Sequence, residues 1–274
     1  MKDGITAHYT HGQLLERIID GMAAIGKTPG TVTVDELGPV DEFHIGGREA
    51  SEDFIGQLQL SAKDHVLDIG CGFGGTARFV ASRFGSRVTG IDLTPEFVST
   101  GQCLCEWVGL SRQVELHQGD ATAMPFPDEC FDAAFMLHVG MNIADKAGLF
   151  AEVHRLLKPG AVFGVYDVMQ TSEEPLVYPV PWATAAENSA LASPGQYVST
   201  LERSGFEIIK TRDRREFASD FFTRTRRTLE KSGGAPPLGV HIAMGHSAPV
   251  KISNMVENIA TGRVSPVEII ANKQ

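Results

Sequence analysis

The stretch VLDIGCGFGG at residues 66–75, followed by VTGID at residues 88–92, decides the fold of this chain. The first apolar run predicts a strand, the glycine cluster a tight turn into a helix, and the second apolar run the next strand. In this arrangement Asp92, at the end of the second strand, faces a ligand that lies over the glycine turn. A carboxylate at that position suits the two hydroxyls of a ribose. The stretch therefore predicts a site for a cofactor that contains a nucleoside.

The glycine spacing alone does not identify that cofactor. Gly70, Gly72 and Gly75 fit the dinucleotide pattern G-x-G-x-x-G, which by itself is a weak signal. A dinucleotide would place its pyrophosphate at the N-terminus of the helix that begins near Gly75, where the helix dipole favours an anion. Asp68 lies two residues before the first glycine, and its carboxylate would repel a phosphate and attract a cationic amino group. This favours S-adenosylmethionine, which has a ribose and an ammonium group but no phosphate.

Five motifs resemble, in order and spacing, those of the class I S-adenosylmethionine-dependent methyltransferases. They are DIGCGFG at 68–74, GID at 90–92, GDATAMPF at 119–126, CFD at 130–132 and LKPG at 157–160. The chain looks closest to the branch that contains the ubiquinone/menaquinone C-methyltransferases and the sarcosine/dimethylglycine N-methyltransferases. The resemblance implies methyl transfer to a nitrogen, carbon or oxygen of a small-molecule acceptor. A nicotinamide-dependent oxidoreductase and a non-catalytic S-adenosylmethionine-binding protein remain as alternatives.

Strands and helices alternate through the centre of the chain. The periodicity predicts strands at 65–69, 87–91, 113–117, 131–136, 161–167, 206–211 and 267–272, and helices at 75–84, 95–109, 146–157 and 196–204. This alternation implies an α/β fold with a doubly wound, mostly parallel, Rossmann-like sheet. The family resemblance implies seven strands, the last of them antiparallel. Right-handed crossovers then place the cofactor over the carboxyl ends of the strands.

The segment before the first strand predicts a separate helical part. Residues 1–60 are expected to close the site, with helices at 13–25 and 48–58 and a turn region at 26–39. Residues 61–274 are expected to form the methyltransferase core.

Two insertions in that core predict a helical substrate cap. The first, at about 172–195, contains YPVPW at 178–182, which cannot be a regular helix. The second, at about 216–262, predicts two helices separated by GGAPP at 233–237. Four apolar side chains of the insertions could enclose an acceptor: Trp182, Phe221, Phe222 and Met244.

Composition and charge exclude several classes of function. The 274 residues are 42% apolar and have a formal net charge of −10, so a nucleic acid partner is not expected. The basic cluster is interleaved with acidic residues and predicts a solvated helix face; it consists of Arg212, Arg214, Arg215, Arg224, Arg226 and Arg227. The sequence shows neither an apolar run near the roughly 20 residues of a membrane span nor a secretory leader, so a cytoplasmic protein is expected. The four cysteines predict buried free thiols, and neither they nor the histidines have the spacing of a metal site.

Most cofactor-binding residues are predicted on the loops that follow the strands. The predicted set is Asp68, Gly70, Gly72, Asp92, Leu93, Asp120, Ala121 and His138. Asp92 is expected to accept hydrogen bonds from the ribose hydroxyls, or else to cap the following helix, and Leu93 to cover one face of the adenine. By the family resemblance, Asp120 accepts from the adenine amino group and the backbone N–H of Ala121 reaches a ring nitrogen. The alternative for Asp120 is a turn aspartate.

Two histidines are the candidates for catalysis. His138 follows the strand at 131–136, at the sheet edge that faces the cofactor sulfur, and a buried structural histidine is the alternative. His44 lies in DEFHIGG at 41–47, whose glycine pair permits close backbone approach, and an ordinary loop histidine is the alternative. A histidine near pH 7 could take a proton from an amine, a carbon acid or a phenol. His241 and His246 are expected to be structural or solvent-facing.

Overall fold

Seven strands form one sheet in the computed structural model, which describes residues 9–10 and 12–274. They are β1 (His65–Ile69), β2 (Arg87–Asp92), β3 (Val114–Gln118), β4 (Phe131–Leu137), β5 (Leu157–Gln170), β6 (Phe206–Asp213) and β7 (Val264–Lys273). Their order in the sheet is β3-β2-β1-β4-β5-β7-β6. Strands β1 to β5 pair in parallel, whereas β7 is antiparallel to both β5 and β6. The predicted α/β fold with a doubly wound, seven-stranded sheet and an antiparallel last strand is therefore confirmed.

The helices of the described part include the eight predicted ones and two more. They are α1 (Leu14–Ala24), α2 (Val34–Asp41), α3 (Gly47–Ile55), α4 (Gly75–Phe84), α5 (Pro95–Trp107), α6 (Lys146–Leu156), α7 (Pro194–Arg203), α8 (Arg215–Ser232), α9 (His241–Met244) and α10 (Ala248–Ala260). The predicted turn region at 26–39 is wrong because it contains most of α2. The Thr33 hydroxyl accepts from the Glu36 N–H at 3.3 Å and the Glu36 carboxylate accepts from the Thr33 N–H at 3.0 Å. This capping box, with Leu37 and Val40 fully buried, outweighs the turn signals of the segment.

The two segments outside the core alternation differ in character. Residues 171–193 form an irregular loop with one 3₁₀ turn (Ala186–Asn188). Helices α8, α9 and α10 make up most of the segment between β6 and β7, so the short α9 is present in addition to the two predicted helices. Strand β5 is longer than the predicted 161–167 because its second half pairs with β7 from Val162 to Gln170.

Apolar side chains cover both faces of the sheet. On one face Ile69 packs in a buried cluster with Phe150 of α6. On the other face Val66 and Phe135 pack with Val80 of α4. Because both faces are covered, the carboxyl ends of the parallel strands are left to bind a polar ligand.

The predicted solvated helix face is wrong for two of the basic residues. Arg212 and Arg214 lie at the end of β6, and only 6% of Arg214 is exposed. Arg212 pairs at 2.7 Å with both Asp53 of α3 and Glu268 of β7, and Arg214 pairs with the same two carboxylates. These guanidinium groups are held at the sheet edge, where a buried charge requires compensation.

Residues 9–10 and 12–274 contain free thiols but neither a membrane-spanning helix nor a metal cluster. Within that part no helix is long and apolar enough to cross a membrane. The same part contains no cluster of three or more histidine, cysteine, aspartate or glutamate side chains that could hold a metal ion. All four cysteines are free thiols. The prediction that they are buried is wrong for Cys103 and Cys130, which are partly exposed.

A buried ion pair joins the N-terminal segment to the helix of the glycine turn. Arg78 of α4 is fully buried, and its guanidinium pairs with Asp41 at the end of α2. The same group donates to the carbonyls of Phe73 at 2.7 Å and Gly101 at 3.3 Å. Burial raises the pKa of Asp41 to about 6, although the Arg78 charge opposes this shift. The pair therefore anchors α2, and the chain that follows it, to α4.

We expect Arg78→Met to lower the free energy of unfolding by about 3–5 kcal/mol, because it leaves the partner carboxylate buried without compensation. Arg83→Met is the matched control, since Arg83 lies on the same helix but is exposed, and we expect a change within about 0.5 kcal/mol. Urea denaturation of both variants measures the difference. A loss below about 1 kcal/mol for Arg78→Met, the value of a surface ion pair, would contradict the structural role of this pair.

Candidate functional site

The glycines of the turn after β1 have left-handed backbone and little space for a side chain. The N–H groups of Gly70 and Cys71 donate to the Ile91 carbonyl of β2 at 2.8 and 3.0 Å. Gly70 has φ +68°, and a Cβ there would lie 2.3 Å from Val139. Gly72 has φ +54°. Left-handed backbone and close packing together require glycine at Gly70, so this turn ties the ends of β1 and β2 to the loop after β4.

Two carboxylates lie beside this turn, at the ends of adjacent strands. Asp92 accepts from the Gly72 N–H at 2.9 Å and from the Thr94 N–H at 2.8 Å. Asp68 is 3% exposed, and its Oδ2 has no hydrogen-bond partner in the described part of the chain. Burial, with the nearby charge of Asp92, raises the pKa of Asp68 well above its usual value, and burial also raises the pKa of Asp92. A cation bound between these carboxylates would relieve both effects.

The loops after β2 and β3 bear on the alternative roles that the sequence left open for Asp92 and Asp120. Thr94 is the N-cap of α5. The alternative prediction that Asp92 is the cap is therefore wrong, although Asp92 accepts from the Thr94 N–H. Asp120 Oδ1 accepts from the Thr122 N–H at 2.9 Å and from the Thr122 hydroxyl at 2.8 Å, which is the geometry of a turn aspartate. Leu93, Asp120 and Ala121 line the same cavity as Asp92.

Residues 41–47 lie against the glycine turn. The ring of Phe43 stacks on Phe73 with centroids 5.4 Å apart, and a Cβ on Gly72 would lie 3.1 Å from the Phe43 ring. The Ile45 N–H donates to His138 Nε2 at 3.4 Å, and the Ile45 carbonyl accepts from the Tyr166 hydroxyl at 3.0 Å. The N-terminal segment therefore contacts both the turn and a candidate catalytic histidine.

His138 is held in an unusual conformation. Its φ is +55°, a region that a non-glycine residue adopts at some energetic cost. Its N–H donates to the Tyr166 carbonyl at 2.7 Å, and the two rings meet edge to face at 4.8 Å. Burial, and then the neighbouring His44, lower the pKa of His138 well below its usual value. Its Nδ1 is buried and has no partner among the described residues.

His44 belongs to a hydrogen-bonded group with buried side chains. Its Nε2 lies 3.1 Å from both the Gly47 carbonyl and the Ser51 hydroxyl. Ser51 in turn donates to Glu42 at 2.5 Å, and Arg48 pairs with the same carboxylate. Burial lowers the pKa of His44 to about 4. Both candidate histidines are therefore neutral at pH 7.

A cavity of about 1880 Å³ brings the predicted site residues together. Its lining includes the whole predicted cofactor set, both candidate histidines and the four cap residues Trp182, Phe221, Phe222 and Met244. His241, expected to be structural or solvent-facing, lines the cavity as well, whereas His246 is exposed.

Two residues of the site network were not foreseen from the sequence. Tyr166 is fully buried in β5, yet its hydroxyl holds the loop at Ile45. Ser51 connects His44 to Glu42. Neither residue belongs to a sequence motif. Their roles become visible only from their hydrogen bonds to residues elsewhere in the chain. Hydrophobic periodicity predicts the core position of Tyr166 but not the partner of its hydroxyl.

The centre of the chain is similar to known methyltransferases. The family model described as a methyltransferase domain matches residues 67–165. A sterol 24-C-methyltransferase of Gibberella zeae is 40% identical over 106 residues, which are 39% of this chain and 28% of that protein. Phosphoethanolamine N-methyltransferase 3 of Arabidopsis thaliana is 30% identical over 209 residues, or 75% of this chain and 41% of that protein. This chain therefore spans less than half the length of these two relatives.

A solved structure supports the same assignment of the fold. Phosphoethanolamine N-methyltransferase 2 of Haemonchus contortus, in complex with S-adenosylmethionine, superposes with a TM-score of 0.72 at 19% identity. The match covers 92% of this chain and 60% of that chain. The methyltransferase-domain match confirms the resemblance to class I methyltransferases that the five motifs predicted, and the superposed structure contains S-adenosylmethionine, the cofactor predicted here. They do not favour the nicotinamide alternative.

We expect the His44 ring to titrate near pH 4 in the folded protein, because burial lowers its pKa to about 4. An unfolded histidine titrates near pH 6.5, so between these values the unfolded chain binds more protons. His44 therefore lowers the stability as the pH falls from about 6.5 towards 4. An NMR titration of the imidazole resonances measures the midpoint, and His44→Gln assigns them by their loss. A midpoint near 6.5 would contradict a buried, neutral ring.

Proposed function

We propose that this chain, whose core is a class I S-adenosylmethionine-dependent methyltransferase domain, transfers the methyl group of that cofactor to a small-molecule acceptor. The observation that carries the proposal is the pair Asp68 and Asp92, on adjacent parallel strands beside the glycine turn. Asp68 Oδ2 is buried without a partner in the described part, and such an oxygen fits the ammonium group of the cofactor. Two carboxylates would repel a pyrophosphate, so a dinucleotide fits less well.

The other cofactor contacts are assigned to the loops after β2 and β3. Each oxygen of Asp92 accepts one backbone N–H and has a further lone pair for a ribose hydroxyl. Leu93 is placed against one face of the adenine. Asp120 and the N–H of Ala121 are assigned to the adenine edge, as the family resemblance implies. Gly70 and Gly72 line the cavity, and the backbone of the turn at these residues is assigned to contact the cofactor.

The bound cofactor supplies a methyl group on a sulfonium, and the chain positions the acceptor and excludes water. His138 Nε2 accepts from the Ile45 N–H, so the neutral ring carries its proton on Nδ1. We assign His138 to orient the acceptor as a hydrogen-bond donor. His44 donates from Nε2 to the Gly47 carbonyl, which leaves the lone pair on Nδ1 as a weak base.

Closure of the site is assigned to the segments outside the core. Residues 1–60 are proposed to close the cofactor side, which the contacts of Phe43 with Phe73 support. The cap insertions at about 172–195 and 216–262 are proposed to enclose the acceptor, and the core to span 61–274. An acceptor other than nucleic acid and a cytoplasmic location remain predictions from the sequence.

The proposed function is tested by transfer of a radiolabelled methyl group from S-adenosylmethionine to a panel of amines, phenols and carbon acids. We expect His138→Gly to lower the single-turnover rate by about 10²-fold or more, the loss typical of a donor to the reacting group, while cofactor affinity changes little. His138→Asn is the conservative control, because asparagine tolerates φ above zero and keeps a donor, and should restore part of the rate. A His138→Gly rate within twofold of the parent would remove His138 from the mechanism.

We expect Asp92→Ala to weaken S-adenosylmethionine binding by roughly 1.5–3 kcal/mol, the range for hydrogen bonds to a charged group. The substitution also frees the Gly72 N–H, so it acts directly and through the turn. Asp132→Ala is the control, since Asp132 lies near the opposite end of the strands. Calorimetry on folded variants measures the affinity. Equal affinities of Asp92→Ala and the parent would refute the assignment.

A further inference from the structure

The cavity is larger than its cofactor site needs. Metabolite pockets commonly have volumes of about 300–1,000 Å³, whereas this cavity measures about 1880 Å³. The glycine turn and the loops after β2 and β3 account for only one side of it. The lining also includes residues of α8, α9 and α10 and of the loop at Trp182. The volume left beside a cofactor is large enough for an acceptor bigger than an amino acid or an amine.

The lining outside the cofactor loops contains a large apolar surface. Helix α8 contributes Phe221, Phe222 and Leu229 to it, beside several serine, threonine and arginine side chains. Helix α10 contributes a row of aliphatic side chains with helical spacing, namely Ile252, Met255, Val256 and Ile259. Burying an apolar ligand against such a surface gains about 25 cal/mol per Å². This surface favours a ligand whose main part is a hydrocarbon.

The charged residues of the lining disfavour an anionic acceptor. Eight carboxylate side chains line the cavity against four basic ones. Each of the three arginines already has a carboxylate partner: Arg48 pairs with Glu42 and Asp35, Arg224 with Glu49, and Arg226 with Glu230. The fourth basic residue, Lys251, is 4% exposed and has interactions of its own. Because carboxylates outnumber basic side chains two to one in the lining, the charge of the cavity disfavours a phosphate.

Two buried polar atoms lie on the loop after β4. His138 Nδ1 and Asn142 Oδ1 have no hydrogen-bond partner in the described part, and Asn142 is 9% exposed. One can donate and the other can accept. Leaving such atoms unpaired costs about 1–3 kcal/mol each. The acceptor is therefore expected to bring one polar group to this loop.

From the size, the apolar lining, the excess of carboxylates and these two atoms, we propose that the acceptor is a large, uncharged, mostly apolar molecule with a single hydroxyl group. This inference rests on the proposed function, because it names the substrate class of the same site. Such a molecule places its body against α8 and α10 and its polar group at His138 and Asn142, beside the cofactor.

Three probes of nearly equal hydrocarbon length test this inference by binding alone. Calorimetry on the full chain, loaded with S-adenosylhomocysteine, compares farnesol, farnesyl diphosphate and the hydrocarbon farnesene. We expect farnesol to bind at least tenfold more tightly than the diphosphate, and severalfold more tightly than farnesene. Asn142→Leu should remove most of the advantage of farnesol over farnesene. Farnesol binding that is absent, or no tighter than that of the diphosphate, would overturn the inference.

Two variants of α10 form a matched pair for the same measurement. Ile252→Arg places a cation in the cavity and should weaken farnesol at least tenfold while strengthening the diphosphate. Val250→Arg carries the same change on an exposed position that is not part of the lining, and should leave both affinities within twofold. Equal effects of the two substitutions would also overturn the inference. If farnesol binds as expected but labelled methyl is transferred to no acceptor, the proposed function fails and the ligand class stands.

Discussion

The left-handed turn at Gly70 is the constraint on which the site depends. It is bounded by the Ile91 carbonyl of β2, which receives two N–H groups of the turn, and by Val139 after β4, 2.3 Å from where a Cβ would lie. A side chain would have to displace one of these neighbours and also adopt a conformation that costs roughly 1–2 kcal/mol. The ends of three parallel strands can meet this closely only at a glycine. Their meeting brings Asp68, Asp92 and His138 to one cavity.

The loop at 41–47 completes this arrangement through buried polar groups. Asp41 is anchored by Arg78, and the backbone of Ile45 lies between the His138 ring and the Tyr166 hydroxyl. The orientation of the histidine is therefore coupled to the position of a loop almost a hundred residues earlier in the chain. Since burial keeps both His44 and His138 neutral, their hydrogen-bond partners, rather than their charge, decide what each ring offers to a ligand.

The core and the cap differ in how much of their surface is buried. The strands β1, β2, β4 and β7 are mostly buried, whereas α8 has Ala218 as its buried residue over 18 residues. A helix with so little buried surface contributes little to global stability, and such elements open at low free-energy cost. Phe221 and Phe222 of α8 are only partly buried against a cluster that contains Trp182 and Met255, so part of their surface is available to line the cavity. This suits the enclosure of an acceptor that is proposed for the cap.

How much could be predicted from the sequence differs between local and distant contacts. The motif from Val66 to Asp92 predicted the strand–turn–helix–strand unit, the glycine turn and the cofactor, because these depend on residues close in sequence and on backbone geometry that only glycine supplies. The turn predicted from Gly38 and Pro39 is wrong at α2, because the capping box and the burial of Leu37 stabilise a helix there.

The sequence by itself determined the fold class, the antiparallel last strand through its family resemblance, and eight residues of the cavity lining. Only the tertiary structure decided that Asp68 keeps an unpaired oxygen, that Ile45 sets the tautomer of His138, and that the arginines at the cavity already have partners. The reason is physical. Hydrogen-bond satisfaction and burial depend on atoms brought together from positions far apart in the chain, and no periodicity or spacing within one segment reports them.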